Sequence, residues 1–573
     1  MTWKPTRREL LRAAAAGGGV LCLVAAGCGS PAARTAEPAL MSPGCRKSKV
    51  RVAKVYMGPP KAHWPTPLLD INAERQKYED QFARMKDEFA DVEFSVNELV
   101  GTQAQAAKLK DRLAGVDGIL AIHLTMGAMP VLRELLAAGK PTALFAAPYS
   151  GHEWTGFGAL QKQKEGALLD CMLTTDYGQL AAAVRPFRAI HHLREAKILN
   201  VTTRDFSAYA ASMKQAFGTE IVRLDRQRVL DAFDAVPDAD AEAETRRWIG
   251  GANKVVEPTR EEIFKSCKLA LALEKLVNAE EATVITVDCY GSMWRQLPAY
   301  PCISHARLNA MGLGGVCESD LQSAMTHALL QGLSGKPGFV SDPTMDVSTG
   351  SIIFAHCMCT PGMDGPGKPA APYTLRCVME RQEGVVPQVW MRKGQKVTQA
   401  ELIGADLLLY FTGDIIDTPD TPKGCRTKIA VKVDGDAEKL WQNWSHGLHR
   451  LTVYGDLTRD LGRFCRYKGV RLVNEAKSRG DTLRCRSGLM ATCTAAGRPA
   501  RRAPCALHPA ALASGLCGPF LRRVGASPAH ERPGVAAKAN GHRSSMEVSR
   551  CRVRFCVAAS SPAAYDVMFW PRP

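Results

Sequence analysis

The stretch GGVCESDLQSAMTHALLQGLSGKPGFVSD, residues 314–342, sets the reading of the whole chain. Leu321, Met325, Ala328 and Leu329 recur at the spacing of one helical face. Gly335 and Pro337 stop that helix, and GFVSD follows as a short strand ending at Asp342. Glu318 opens the helix, where a carboxylate suits the positive end of the helix dipole. Helix and strand alternating across a Gly/Pro turn is the repeating unit of α/β layers.

The same alternation extends upstream. VRVAKVYMG (50–58), VDGILAIHL (116–124) and KPTALFAAP read as strands, and AERQKYEDQFARMKDEF and PVLRELLAAG as helices between them. They predict a Rossmann-like first domain over residues 48–195. AKILNVTT (196–203) opens a second α/β domain, 196–345, which continues through the helical REEIFKSCKLALALEKLVNAE and the strand ATVITVDC. Downstream the texture changes. SIIFAHC, YTLRCVM, VVPQVWMRK, DLLLYFTGDII and TKIAVKV are short β-type runs separated by Gly/Pro turns. They predict a β-rich, barrel-like and largely antiparallel third domain over 346–481, closing with the helix LTRDLGRFCRYKG and the strand VRLVNE.

At 573 residues, two to four domains are expected. The net charge of +17 is not spread evenly. Residues 1–47 carry +5 and residues 482–573 carry +11, which leaves the body near +1. A neutral body offers no broad footprint for a phosphate backbone, so nucleic acid is excluded as a partner. The first 47 residues have the layout of a twin-arginine signal and tether: Arg7-Arg8, then the mildly apolar AAAAGGGVLCLVAAGC ending at Cys28. This predicts export to the periplasm or a membrane-anchored lipoprotein, with Cys28 as the lipid anchor. Residues 482–573 are rich in Arg, Ala, Pro and Gly without periodicity, and read as a disordered or out-of-frame tail. The 19 cysteines show no regular spacing, and Cys357-Met358-Cys359 lacks the second half of a zinc site.

Glu318, Asp342, His356 and His449 each stand beside a Gly/Pro-rich turn or at the end of an element. Each has an ordinary reading as well: helix dipole for Glu318, turn chemistry for Asp342-Pro343, a core histidine for His356, a surface residue for His449. In CYGSMWRQLPAYP (289–301), Trp294, Arg295 and Gln296 combine an aromatic face with polar forks that suit a polyol. They read equally as packing residues of a loop.

Three blocks carry a resemblance: residues 314–342, IIFAHCMCTP (352–361) and HGLHRLTVYGD (446–456). In these, and in order from about residue 48 to 480, the chain resembles the L-fucose/L-arabinose isomerase superfamily. The resemblance implies one divalent metal, usually Mn2+, and a homo-oligomer. It also implies an acid before the helix, a second acid after the next strand, a histidine in a strand and another near the C-terminal end. Those positions are Glu318, Asp342, His356 and His449, with His446 competing for the last. L-fucose isomerases rely mainly on the two acids and the late histidine. The implied reaction interconverts an aldose and a ketose through an enediol, with Glu318 and Asp342 both holding metal and moving protons. Two other readings stay open. A sugar-binding lipoprotein needs neither the ordered acids and histidines nor a β-rich third domain, and a degenerate isomerase binds sugar or metal without turnover.

Overall fold

The structure is a computed structural model that describes residues 46–477. The twin-arginine signal with Cys28 and the tail from residue 482 lie outside the described residues.

The first sheet contains β1 (Val50–Met57), β2 (Val92–Val100), β3 (Gly118–His123), β4 (Thr142–Ala146) and β5 (Leu169–Leu173), in the order β2-β1-β3-β4-β5. All its pairings are parallel. GILAIH and TALFA are buried at every position, as strands covered by helices on both faces must be.

The second sheet contains β6 (Lys197–Val201), β7 (Glu220–Arg223), β9 (Val284–Val287) and β10 (Gly314–Cys317), again all parallel, in the order β10-β9-β6-β7. The short β8 (Lys254–Val255) instead pairs with the downstream hairpin β13 (Tyr373–Val378) and β14 (Glu383–Val389).

The β-rich region holds β11 (Phe339–Asp346), β12 (Ser351–His356), β15 (Lys396–Ile403), β16 (Leu407–Asp417), β17 (Thr427–Val433), β18 (Arg450–Tyr454) and β19 (Arg471–Asn474). Its pairings run β15-β18-β11-β12-β17-β16 and return from β16 to β15. These six are antiparallel, and β19 joins β16 in parallel.

Helix Leu321–Ser334 packs against β9 and β10 on one side, β15 and β18 on the other, and helix Gly178–Glu195. Every residue from Ser323 to Leu333 is therefore buried, His327 and Gln331 included. The single apolar face read from the sequence is a correction: tertiary packing covers the polar face too. Gly335, at φ 69°, ends the helix as expected. Asp342 is not the end of its strand, because β11 continues to Asp346. Among the described residues no helix is long and apolar enough to cross a membrane.

Candidate metal centre

After β10 the backbone turns through two left-handed residues, Glu318 (φ 66°) and Ser319 (φ 57°). Non-glycine residues hold such a conformation only with outside support. Arg204 supplies part of it: its Nη2 donates to the Glu318 carbonyl at 2.8 Å and pairs with Asp288 Oδ1 at 3.0 Å. Ser319 Oγ donates to Asn200 Oδ1 on β6 at 2.7 Å. The helix cap is then Asp320, whose Oδ1 accepts from the backbone N–H groups of Gln322 (3.0 Å) and Ser323 (3.1 Å). Glu318, read from sequence as opening the helix, stands three residues before its first turn, and Asp320 is the cap.

Glu318 instead faces two histidines. Its Oε1 lies 3.5 Å from His356 Nε2 and its Oε2 lies 4.0 Å from His449 Nε2. Ligand atoms of Glu318, His356 and His449 all fall within 4.8 Å of one another. Asp342 stands beside this trio, with Oδ1 3.2 Å from His449 Nε2. Strand register explains the convergence. Ser341 pairs with Arg450 of β18, and Asp342 pairs with Ala355 of β12. Asp342 thus sits where β11 changes partner, with His449 beside one neighbouring strand and His356 at the end of the other. His446 is exposed, at φ 58°, and lies outside the trio.

His449 Nδ1 lies 2.9 Å from Asp320 Oδ2. A carboxylate only accepts, so Nδ1 carries the hydrogen and Nε2 faces Glu318 and Asp342. Nε2 is buried, with Asp342 Oδ1 at 3.2 Å and Glu318 Oε2 at 4.0 Å. A buried ring nitrogen aimed at two carboxylates, with its far side fixed by a third, is how a divalent ion's histidine ligand is held. The residues present fit such an ion.

Charge in the cluster is mutually stabilising. Burial raises the carboxyls of Glu318, Asp342 and Asp320, but the neighbouring histidines outweigh it and hold all three below their ordinary values. Burial lowers His449, but Asp320 and Asp342 outweigh it and lift the imidazole well above 6.5. A proton therefore occupies His449 readily whenever no cation does. Behind Asp320, Ser323 Oγ donates to its Oδ2 at 2.7 Å and lies 3.4 Å from Glu401 Oε1. Burial keeps Glu401 protonated far above the carboxylate range.

The loop read as sugar-facing is placed as follows. Arg295, at φ 54°, lines a cavity of about 230 Å3 together with Ser266, Cys289, Met293, Tyr300 and Glu383. The Arg295 guanidinium lies over the Trp294 ring, and Gln296 Oε1 accepts from Arg226 Nη1 at 2.6 Å. Cys357 and Cys359 point to different neighbours, Cys425 Sγ and Met391 Sδ. Sequence reasoning missed Asp320, Glu401 and the Arg450–Glu475 pair behind His449. An aspartate directly before the apolar run at Leu321 is a cap signature that marks Asp320.

No family model matches the chain. Two curated proteins resemble it. A sulfoquinovose isomerase of Alkalicoccus urumqiensis is 22% identical over 304 residues, covering 48% of this chain and 64% of that protein. A sulfoquinovose isomerase of Clostridium sp. (strain MSTE9) is 21% identical over 304 residues, covering 49% of this chain and 65% of that protein. The chain thus spans a little under two thirds of the length of the curated relatives it matches.

Proposed function

We propose that this chain is a metal-dependent aldose–ketose isomerase acting on a monosaccharide. The observation that carries the reading is the convergence of Glu318, His356 and His449 with Asp342 alongside. The names of the two relatives support the same class of reaction. Glu318, His449, His356 and Asp342 would hold the ion, with Mn2+ the expected metal. When bound, such an ion polarises the sugar carbonyl and stabilises negative charge on its oxygens.

The chain's own groups move the protons. A carboxylate of Glu318 or Asp342 accepts the C2 proton of the open-chain aldose, and a proton returns to C1. O2 loses its hydrogen and O1 gains one, so the aldose becomes a ketose of the same composition through an enediol. Trp294, Arg295 and Gln296 belong to the substrate side. The division into domains at 195/196 and 345/346, a barrel formed by the ring of six strands, homo-oligomerisation, twin-arginine export and lipid attachment at Cys28 complete the proposal.

The test is turnover of a panel of pentoses, hexoses and deoxysugars in heavy water with manganese added. Ketose carrying deuterium at C1, or recovered aldose carrying it at C2, is expected, with the label lost in Asp342→Asn. Tight sugar binding with neither ketose nor label in metal-loaded protein would leave a binding protein or a non-catalytic homologue.

A further inference from the structure

β12 and β17 pair antiparallel up to His356 opposite Thr427. Just beyond that pair stand two thiols, Cys357 and Cys425, with their sulfurs 3.8 Å apart. A regular continuation would set Cys357 opposite Arg426 and aim Cys425 at the other face of the sheet. The strands stop instead, β12 ending at His356 and β17 starting at Thr427, and the irregular backbone lets the sulfurs meet. Both side chains belong to one buried apolar core with Phe354 and Ile429. Pro422, Lys423 and Gly424 are exposed, and Gly424 takes a left-handed φ of 71° directly before Cys425. Cys357 is flanked by Tyr290, whose hydroxyl lies 3.8 Å from its Sγ. A reagent arriving along the exposed loop therefore meets Cys425 first.

Position in the chain matters as much as proximity. Cys357 directly follows His356, whose Nε2 faces Glu318 Oε1 at 3.5 Å. A disulfide holds its sulfurs about 2.0 Å apart, so closing this pair draws them together by about 1.8 Å. Functional constellations tolerate displacements of only about 0.5 Å. If side-chain rotation takes up about two thirds of the movement, about 0.6 Å is left to the backbone beside His356, still beyond that tolerance.

We propose that Cys357 and Cys425 are a dithiol modification site, oxidised by small disulfides of the glutathione type, and that closing it weakens the metal centre through His356. The Cys425 sulfur, having lost its proton, attacks one sulfur of the reagent. The reagent's S–S bond breaks, and the first thiol leaves with that proton. The Cys357 sulfur, having lost its own proton, then attacks Cys425 Sγ, and the second thiol leaves with it. The protein gives up two protons and two electrons, and the reagent takes up both. The export proposed above would bring the pair into an oxidising compartment. The effect on metal rests on Glu318, His356 and His449 holding an ion; the bond itself does not.

Equilibrating the full chain with mixtures of glutathione and glutathione disulfide, with and without manganese, tests the proposal. Peptide mass reads the bond, and manganese titration reads the coupling. A peptide cross-linked between Cys357 and Cys425 is expected, with manganese affinity at least about tenfold lower in the oxidised protein. Saturating manganese should then shift the thiol–disulfide equilibrium toward the dithiol by the same factor, because linkage is reciprocal. Cys425→Ser should keep the manganese affinity of the reduced chain and lose its response to oxidation. Cys425→Ala is the second variant should Cys425→Ser fail to fold, as judged by melting temperature. Absence of the cross-linked peptide at every ratio overturns the site. A cross-link that leaves manganese affinity unchanged overturns the coupling, as does a response to oxidation that persists in both Cys425 variants. A reduced chain that binds no manganese removes the metal reading and the coupling with it, while the peptide still decides the bond.

Discussion

Asp320 uses its two oxygens for different tasks. Oδ1 caps helix Leu321–Ser334, and Oδ2 takes His449 Nδ1 at 2.9 Å. The substitution Asp320→Asn separates them, because asparagine caps a helix about as well as aspartate. Its amide nitrogen or neutral oxygen is a poorer partner for Nδ1–H, so Nε2 is no longer reliably the unprotonated nitrogen. Metal affinity should fall about 10- to 100-fold, the usual cost of losing an outer carboxylate, with little change in melting temperature. Asp320→Ala should cost about 1 kcal/mol of stability in addition. Metal titration and thermal melts check both, and unchanged metal affinity in Asp320→Asn would remove it as a positioning residue. The cluster also fixes a pH dependence. Glu318, Asp342 and Asp320 lie below their ordinary values, so what they contribute to stability is fully present above 4.5 and is lost as pH falls. His449 lies above its ordinary 6.5, so its contribution is full below 6.5 and is lost as pH rises through the raised value. Metal-free wild type should therefore lose melting temperature above pH 6.5 more steeply than metal-free His449→Gln. Parallel curves for the two proteins above that pH would disprove the coupling.

Strands and helices were legible where local pattern and burial agree. GILAIH and TALFA are apolar throughout and buried throughout, so sequence and structure coincide. Reading failed where tertiary contacts override the pattern. Pro343 has no N–H to give a ladder and reads as a stop, yet β11 runs on because β12 takes over as its partner from Asp342. β15, KVTQAELI, is not an apolar run, because it carries Gln399 and Glu401; both are buried, and Glu401 is tolerated there as the neutral acid. The first residue of β18 was equally unreadable. Arg450 is fully buried and forks onto Glu475, with Nε 3.0 Å from Oε2 and Nη2 2.7 Å from Oε1. Its Nη1 also donates to the His449 carbonyl at 2.7 Å, so the pair holds the backbone of the late histidine. Glu475→Ala would leave a buried, unpaired guanidinium and should destabilise the fold by about 3–5 kcal/mol, read by chemical denaturation. Metal affinity should drop with it, whereas Glu475→Gln, which keeps an acceptor, should lose less of both. Equal stability of Glu475→Ala and wild type would show that water reaches Arg450.

Across the whole molecule, the candidate ligands come from four places far apart in sequence: after β10, within β11, at the end of β12 and just before β18. Their order along the chain was legible through the three sequence blocks. Their meeting was not, because it depends on β18, β11 and β12 lying side by side in register. The parallel sheet supplies Glu318 from the C-terminal end of a strand, where ligand sites in open α/β sheets gather. The mixed sheet supplies the other three residues. Helix Leu321–Ser334, packed between the two, fixes their separation. Every residue placed in this arrangement belongs to the described residues, which end at 477. β19 completes the mixed sheet beside β16, Glu475 anchors Arg450, and Asn443 Nδ2 donates to the Glu475 carbonyl at 2.9 Å. Residues 482–573 add a charge of +11 and no helical or strand periodicity, so they bring little apolar surface to bury. A chain ending at residue 481 should then keep the melting temperature and the metal content of the full chain, within about 0.5 kcal/mol of its stability. It should also dissolve more readily at low salt if the basic segment binds polyanions in the preparation. A fall in melting temperature of several degrees, or loss of metal on truncation, would mean that the segment packs on the body. Sequence composition would then have misjudged it, and the centre would need residues beyond β19 for its integrity.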